Sequence, residues 1–340
     1  MNLAQVEQIV AQKAFPDSAN PPELISTHSS WVILTDRFAY KIKQPVHFSF
    51  MDFSTLERRR YFCQQELELN QRLAPDIYLD LQEVHDTEDG PQISGNTGNV
   101  MDYAVRMKRM ESSKQMDILL DQHAVTPPQI VALAEQIVRF HRKIPALTNV
   151  IDLDNWQQTF NDLNVIKDIV RQEEMPGTAD LIDRGVQWSN RFLEQHGQRF
   201  IEREKEGWVV EGHGDLHAKN IFLTDPPVVF DCIEFSQELR QIDVLNEIAF
   251  FCMDMDALEQ PDLGTIFLQA YLEQIPCMPK DEDRLLFDYF KLYRANVRLK
   301  VIGLQDRQAF TEKDTRQWKA QVTTYALLFQ NYLTKLEQVF

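Results

Sequence analysis

Trp208-Val209-Val210-Glu211-Gly212-His213-Gly214-Asp215-Leu216-His217-Ala218-Lys219-Asn220-Ile221-Phe222-Leu223 is the stretch from which the rest of this chain is read. An apolar strand enters a polar loop, and a second apolar strand leaves it. Asp215 and Asn220 stand five residues apart in that loop. Thr224-Asp225-Pro226-Pro227 then makes a turn, and Val228-Val229-Phe230 returns as a strand that delivers Asp231. Two histidines, two aspartates and an asparagine among apolar strands are costly to bury without a purpose.

Outward from this passage the chain has two characters. Residues 3–13 read as a short amphipathic helix closed by Pro16 and the Asn20-Pro21-Pro22 loop. Glu23 to Lys43 reads as two strands around Thr27-His28-Ser29-Ser30 and Thr35-Asp36-Arg37. A long helix is expected from Thr55 to Leu73, ended by Ala74-Pro75. Segments 77–85 and 99–110 are strand-like, joined by the turn-rich Glu88-Asp89-Gly90 and Ser94-Gly95-Asn96-Thr97-Gly98. After Met110, helical periodicity dominates at 129–142, 155–171, 178–204 and from 262 onward. The pattern predicts an α+β protein: an antiparallel sheet with one helix over 1–105, then a mainly helical part over 106–340 that carries the central hairpin.

Composition narrows the function. The 340 residues carry 44% hydrophobic side chains and a formal charge of -17. Such a balance speaks for a globular enzyme and against nucleic acid, which requires clustered positive charge. Cys63, Cys232, Cys252 and Cys277 have no metal-ligand spacing and read as buried thiols of a reducing compartment. The N-terminus lacks the features of a signal peptide, and no apolar run approaches the ~18 residues of a membrane span. A cytoplasmic protein with no membrane partner is expected.

Phosphoryl transfer needs a carboxylate to accept a hydroxyl proton, and an Asn and an Asp to hold magnesium on the phosphates. His213-Gly214-Asp215-Leu216-His217-Ala218-Lys219-Asn220, followed by Phe230-Asp231-Cys232-Ile233-Glu234-Phe235, supplies that set. It resembles the aminoglycoside phosphotransferase and choline kinase branch of the protein-kinase-like fold. Within that branch it looks like a bacterial aminoglycoside phosphotransferase-like family whose members often carry a further P-loop kinase domain. Ala39-Tyr40-Lys41-Ile42-Lys43, Phe53-Ser54-Thr55-Leu56-Glu57, Tyr103-Ala104-Val105-Arg106-Met107-Lys108-Arg109-Met110 and Tyr293-Arg294-Ala295-Asn296-Val297-Arg298 extend the likeness over most of the chain. No Gly-x-x-x-x-Gly-Lys-Ser/Thr sequence is present, so that further domain is expected to be absent.

The resemblance implies two lobes with ATP or GTP and Mg2+ between them, and a small-molecule hydroxyl as acceptor. Asp215 would be the catalytic base, and Asn220 and Asp231 the metal ligands. His213 would brace the loop, with His217 in support. A rival reading makes His213, Asp215, His217 and Asp231 ligands of a hydrolase metal centre, but it gives Asn220 no role. Another is non-catalytic: a pseudokinase, or the regulatory partner of a separate P-loop kinase.

Ala39 and Lys41 share one face of a strand, which makes Lys41 the first choice for the nucleotide phosphates. Lys43 lies one step further on that face and is the runner-up. Phe62, Glu66, Leu69 and Leu73 fall on one helix face, so Glu66 interrupts an apolar stripe. An inward carboxylate requires a cation, and a pair with Lys41 is expected. There is no Gly-rich loop; amides and hydroxyls of Thr27-His28-Ser29-Ser30 could cap the phosphates instead. The nucleotide-base hinge is placed near Met107 to Met110 by chain order alone.

Other residues have weaker claims. Glu234 could touch the metal or hold the loop, the latter being preferred. Asp243 could tie a helix start to the catalytic loop or act as an N-cap. His141 reads as a hydrogen-bonded core histidine. Asp254 and Asp256 suit a cationic substrate, whereas the Lys291, Arg294 and Arg298 stripe suits an anionic one. Acceptor and oligomeric state are not legible.

Overall fold

A computed structural model describes residues 1–339 except 16, 18, 19, 49, 50, 96, 306, 308 and 309. Two residues given turn roles above, Pro16 and Asn96, lie outside the described residues. The chain divides into two compact units. The first comprises 1–124, 213–215 and 219–240; the second comprises 125–212, 216–218 and 241–340.

The first unit opens with α1 (Leu3–Gln12), whose N-terminus is closed by a reciprocal Asn2–Gln5 capping box. Strands β1 (Glu23–Ser26), β2 (Ser30–Leu34) and β3 (Phe38–Lys43) follow. Two turns separate three strands, so the segment holds one strand more than the sequence pattern predicted. After the short β4 (His47–Phe48) and β5 (Met51–Asp52) comes α2 (Leu56–Gln71), N-capped by Thr55. Strands β6 (Tyr78–Thr87), β7 (Gly90–Ile93) and β8 (Asn99–Lys108) complete an antiparallel sheet of order β1-β2-β3-β8-β6-β7. Strand β7 occupies part of the stretch expected to be turn. Helix α3 (Met116–Asp121) follows the sheet.

Strand alternation gives the sheet two buried faces. Trp31, Ile33, Tyr40, Ile42 and Ala104 pack with Val6 and Ile9 of α1. Ala39, Tyr103, Val105 and Met107 pack with Cys63 and Leu67 of α2. Lys41 and Lys43, in step with Ala39, therefore emerge on the α2 side.

The second unit is helical: α4 (Pro127–Lys143), α5 (Leu153–Asn161), α6 (Lys167–Gln172) and α7 (Thr178–Lys205), then α8 (Val244–Ala257), α9 (Pro261–Leu272), α10 (Asp281–Gly303) and α11 (Glu312–Glu337). The helix expected over 155–171 is interrupted by a 3-10 turn at Asp162–Ile166. Strand β9 (Val209–Glu211) pairs antiparallel with β12 (Gln241–Asp243) in this unit. In the first unit, β10 (Ile221–Phe222) and β11 (Val228–Val229) form the hairpin that leads to Asp231. All four cysteines are free and buried. Among the described residues, no helix is long and apolar enough to cross a membrane.

Candidate active site

The site of the first unit begins with two lysines and one carboxylate. Helix α2 turns Glu66 fully into the interior, and Asn70 donates from Nδ2 to the Glu66 carbonyl at 2.8 Å. Lys41 Nζ lies 2.8 Å from Glu66 Oε1 and 2.6 Å from Asp231 Oδ1. Lys43 Nζ lies 2.7 Å from Glu66 Oε2 and 2.5 Å from Glu234 Oε1. Each Glu66 oxygen thus faces its own ammonium. The side chains of Lys43 and Glu66 are wholly buried, whereas Asp231 is 41% exposed, so the cluster opens at Asp231.

Burial would push Glu66 up, but the two lysines outweigh it and bring its pKa down to about 2. Burial opposes the charge of Lys41, yet Asp231 and Glu66 hold its pKa well above the usual lysine range. Glu234 is shifted upward by burial, against the pull of Lys43.

The loop residues are fixed by close backbone geometry. Gly214 has φ of +86°, and a Cβ there would sit 2.8 Å from the Leu239 carbonyl oxygen, so only glycine fits. Buried His213 accepts the Asp215 N–H on Nδ1 at 3.2 Å and donates from Nε2 to the Phe230 carbonyl at 2.8 Å. Both ring nitrogens are engaged, which fixes the tautomer and takes His213 out of the hydrolase ligand set. Asn220 donates from Nδ2 to Oδ2 of Asp215 at 3.1 Å and to its carbonyl at 3.0 Å. The Asn220 carbonyl in turn accepts the Phe230 N–H at 3.0 Å.

Asp231 has φ of 62°, a left-handed conformation unfavourable for a non-glycine residue. Its surroundings hold it there. The Asp231 N–H donates to the Tyr78 hydroxyl at 3.1 Å, and the next N–H, of Cys232, donates to Asn70 Oδ1 at 2.9 Å. With the His213 clasp on Phe230, three side chains set the backbone on either side of this carboxylate.

A family model described as "Phosphotransferase enzyme family" matches residues 40–285. The chain belongs to this family. An uncharacterized protein of Mycobacterium tuberculosis is 32% identical over 284 residues, covering 81% of this chain and 53% of the relative. The chain thus spans about half the length of the curated relatives it matches. Choline kinase from Cryptosporidium parvum is similar in structure, with a TM-score of 0.53, 12% identity, and coverage of 98% of this chain and 99% of that one. Aminoglycoside 2'-phosphotransferase-IIIa, solved as a GDP complex, gives 0.51 at 13% identity, covering 98% of each. These likenesses establish a two-lobed, α+β, protein-kinase-like fold.

Within this fold the remaining candidates separate. The amides of Thr27, Ser29 and Ser30 are spent inside their own turn: Thr27 N–H donates to the Ser30 carbonyl at 2.9 Å, and Thr27 Oγ1 accepts from Ser29 at 3.4 Å and Ser30 at 3.0 Å. Three of the four amides expected to cap phosphates are thus engaged within the turn, while the buried Ser30 hydroxyl has no partner among the described residues. His28 lies at the tip of the turn, and the sequence reading named it as part of the turn without giving its ring a role. Burial and Lys41 lower its pKa, while Asp231 and Asp215 pull the other way, so its ring feels the same charges that define the site.

The second unit holds the others. Asp243 caps α8 by accepting from Leu245 N–H at 2.8 Å and grips Arg203 through both oxygens. His217 is buried with its ring 5.7 Å from that of Phe250, and Asp254 accepts the Ala218 N–H at 2.8 Å. Asp256 is paired with Lys291 and receives the Tyr332 hydroxyl. Arg294 donates to Asn246 Oδ1 at 2.6 Å and stacks over Phe250. The acidic and basic hints of opposite substrate charge are thus tied into the helical packing. His141 sits between the Tyr271 hydroxyl and Glu247, each at 2.7 Å, as a core histidine should.

Proposed function

We propose that this chain is a nucleotide- and Mg2+-dependent phosphotransferase that phosphorylates a hydroxyl group of a small molecule. The observation that carries this reading is Lys41 meeting both Glu66 and Asp231 within 2.8 Å, while His213 joins the backbone beside Asp231 to that of Asp215, which Asn220 in turn holds.

The donor chemistry suits magnesium. Asp231 offers a half-exposed carboxylate, and Asn220, whose nitrogen is engaged with Asp215, has its amide oxygen to give. Among the described residues, no three His, Cys, Asp or Glu side chains are grouped to hold a metal by themselves. Magnesium is commonly held by one or two protein oxygens with phosphate and water completing the shell, so the set fits. Bound there with a nucleoside triphosphate, it would neutralise charge on the transferring phosphoryl group.

The protein's own part is positioning and proton handling. Lys41, kept charged by Asp231 and Glu66, meets phosphate oxygens. Asp215, oriented by Asn220, accepts the acceptor's hydroxyl proton. Val32, Leu34, Val228 and Phe230, partly buried against the α2-side core, offer an apolar bed for the base. ATP is the preferred donor, with GTP as the alternative.

The test measures turnover by phosphate transfer across sugars, aminoglycosides and amino alcohols, with nucleotide binding followed by thermal shift with and without Mg2+. Asp215→Asn should cut turnover by about a thousandfold and leave nucleotide binding intact, as expected for a lost general base. Asp231→Ala should remove the Mg2+-dependent shift. No nucleotide shift in the wild type would replace this reading with a non-catalytic module.

A further inference from the structure

Resting on that reading, we propose that Lys43 and Glu234 are positioning residues of the nucleotide centre, a second ion pair that shares Glu66 with Lys41 and keeps Lys41 and Asp231 together before nucleotide arrives. A single lysine on Glu66 would leave one carboxylate oxygen buried without a cation. Here the second oxygen is taken by Lys43, whose ammonium is fully buried and lies 4.7 Å from the centre of the Phe53 ring. Lys43 has no route to solvent and so no route to a phosphate.

What Lys43 joins is structurally distinct from what Lys41 joins. Through Glu234 it ties β3 and α2 to the segment that follows Asp231, at 2.5 Å. Arg240 secures that segment by donating to the carbonyls of Ile233 at 3.3 Å and Glu234 at 3.4 Å. In the same segment, one residue after Asp231, Asn70 of α2 accepts the Cys232 N–H. Helix α2 is therefore tied to this segment at two points, both just beyond the residue where Lys41 meets Asp231. Removing Lys43 would leave buried Glu234 without its ion-pair partner and Glu66 with Lys41 alone, so that Lys41 would have to serve both carboxylates as well as Asp231. The repulsion between Glu66 and Glu234 would be relieved by rotation of Glu66, and Lys41 would be drawn away from Asp231.

Calorimetric titration with Mg-ATP and with adenosine tests this, because only Mg-ATP reports on Lys41 and Asp231. Lys43→Met should weaken Mg-ATP about tenfold or more and leave adenosine unchanged, and adding it to Lys41→Met should cost nothing further, as expected for coupled neighbours. Should Lys43→Met not fold, Lys43→Met with Glu234→Met replaces the whole pair by apolar groups and carries the same expectation. Wild-type affinity for Mg-ATP in either variant, equal loss of Mg-ATP and adenosine, or additivity with Lys41→Met would overturn the inference. A wild type that binds adenosine and Mg-ATP equally weakly would instead overturn the nucleotide reading beneath it.

Discussion

Each unit buries a network of charges, and the two networks end differently. In the second unit, Arg203 is held by Asp243 at 2.5 Å, by Asp283 at 2.9 Å and by the Cys277 carbonyl at 2.7 Å. Arg199 joins Asp283 at 2.8 Å and Glu206 at 2.7 Å. The remaining oxygens cap helices, Asp243 at α8 and Asp283 by accepting the Lys280 N–H at 3.0 Å. In the first unit, the Lys43, Glu66 and Glu234 core is just as dry, but its last link, Lys41 to Asp231, reaches solvent. The second-unit network also reaches solvent, at Glu206, but there it meets the surface Lys280 on ordinary right-handed helical backbone, and that ending is structural. A network that leads from a dry interior to an exposed carboxylate in a strained conformation is arranged to meet something from solution.

The contrast is open to attack from both ends. Arg203→Met should cost about 4 kcal/mol in urea unfolding, since it strands the buried Asp243 carboxylate while Asp283 keeps Arg199. Turnover per folded molecule should survive. Lys41→Met should do the reverse: weaken Mg-nucleotide binding about a hundredfold, within the range for charged groups on phosphate, with little change in the unfolding midpoint because Glu66 keeps Lys43. Equal stability losses in the two variants would erase the distinction.

Acid titration sharpens it. Glu66 has its pKa depressed from 4.5 to about 2, so its contribution to stability is complete above the ordinary value and lost as pH falls through the lower one. Glu234, shifted upward, contributes with the opposite sign. Glu66→Gln should therefore flatten the fall of the urea unfolding free energy between those two values, by about 3 kcal/mol. The smallest effect is expected at His28: its replacement by alanine should weaken Mg-nucleotide binding about threefold, a loss on the scale of one exposed contact, with kcat for saturating acceptor nearly unchanged.

Much of this molecule can be read from its residues alone, for identifiable reasons. The long helices announce themselves because each has one wet face, and the sheet because turn residues bound its strands. Helix α8 does not, since every residue from Val244 through Met255 is buried and no periodic contrast remains. Glu66 was legible as an inward carboxylate because it breaks an apolar stripe. The division of labour between Lys41 and Lys43 was not, since residues two apart share a face and only the three-dimensional position of Asp231 and Glu234 separates them. The engagement of the Thr27, Ser29 and Ser30 amides within their turn was equally hidden, because spacing cannot say whether an amide points inward or outward.

The left-handed backbone at Asp231 narrows what this position can hold. Among residues with a side chain, aspartate and asparagine enter that basin most readily. Glutamate, one methylene longer, has no such ease there, so conserving charge would sacrifice shape. Asparagine conserves shape and discards charge, and it would yield a correctly folded protein suited to trapping an acceptor beside an unspent nucleotide.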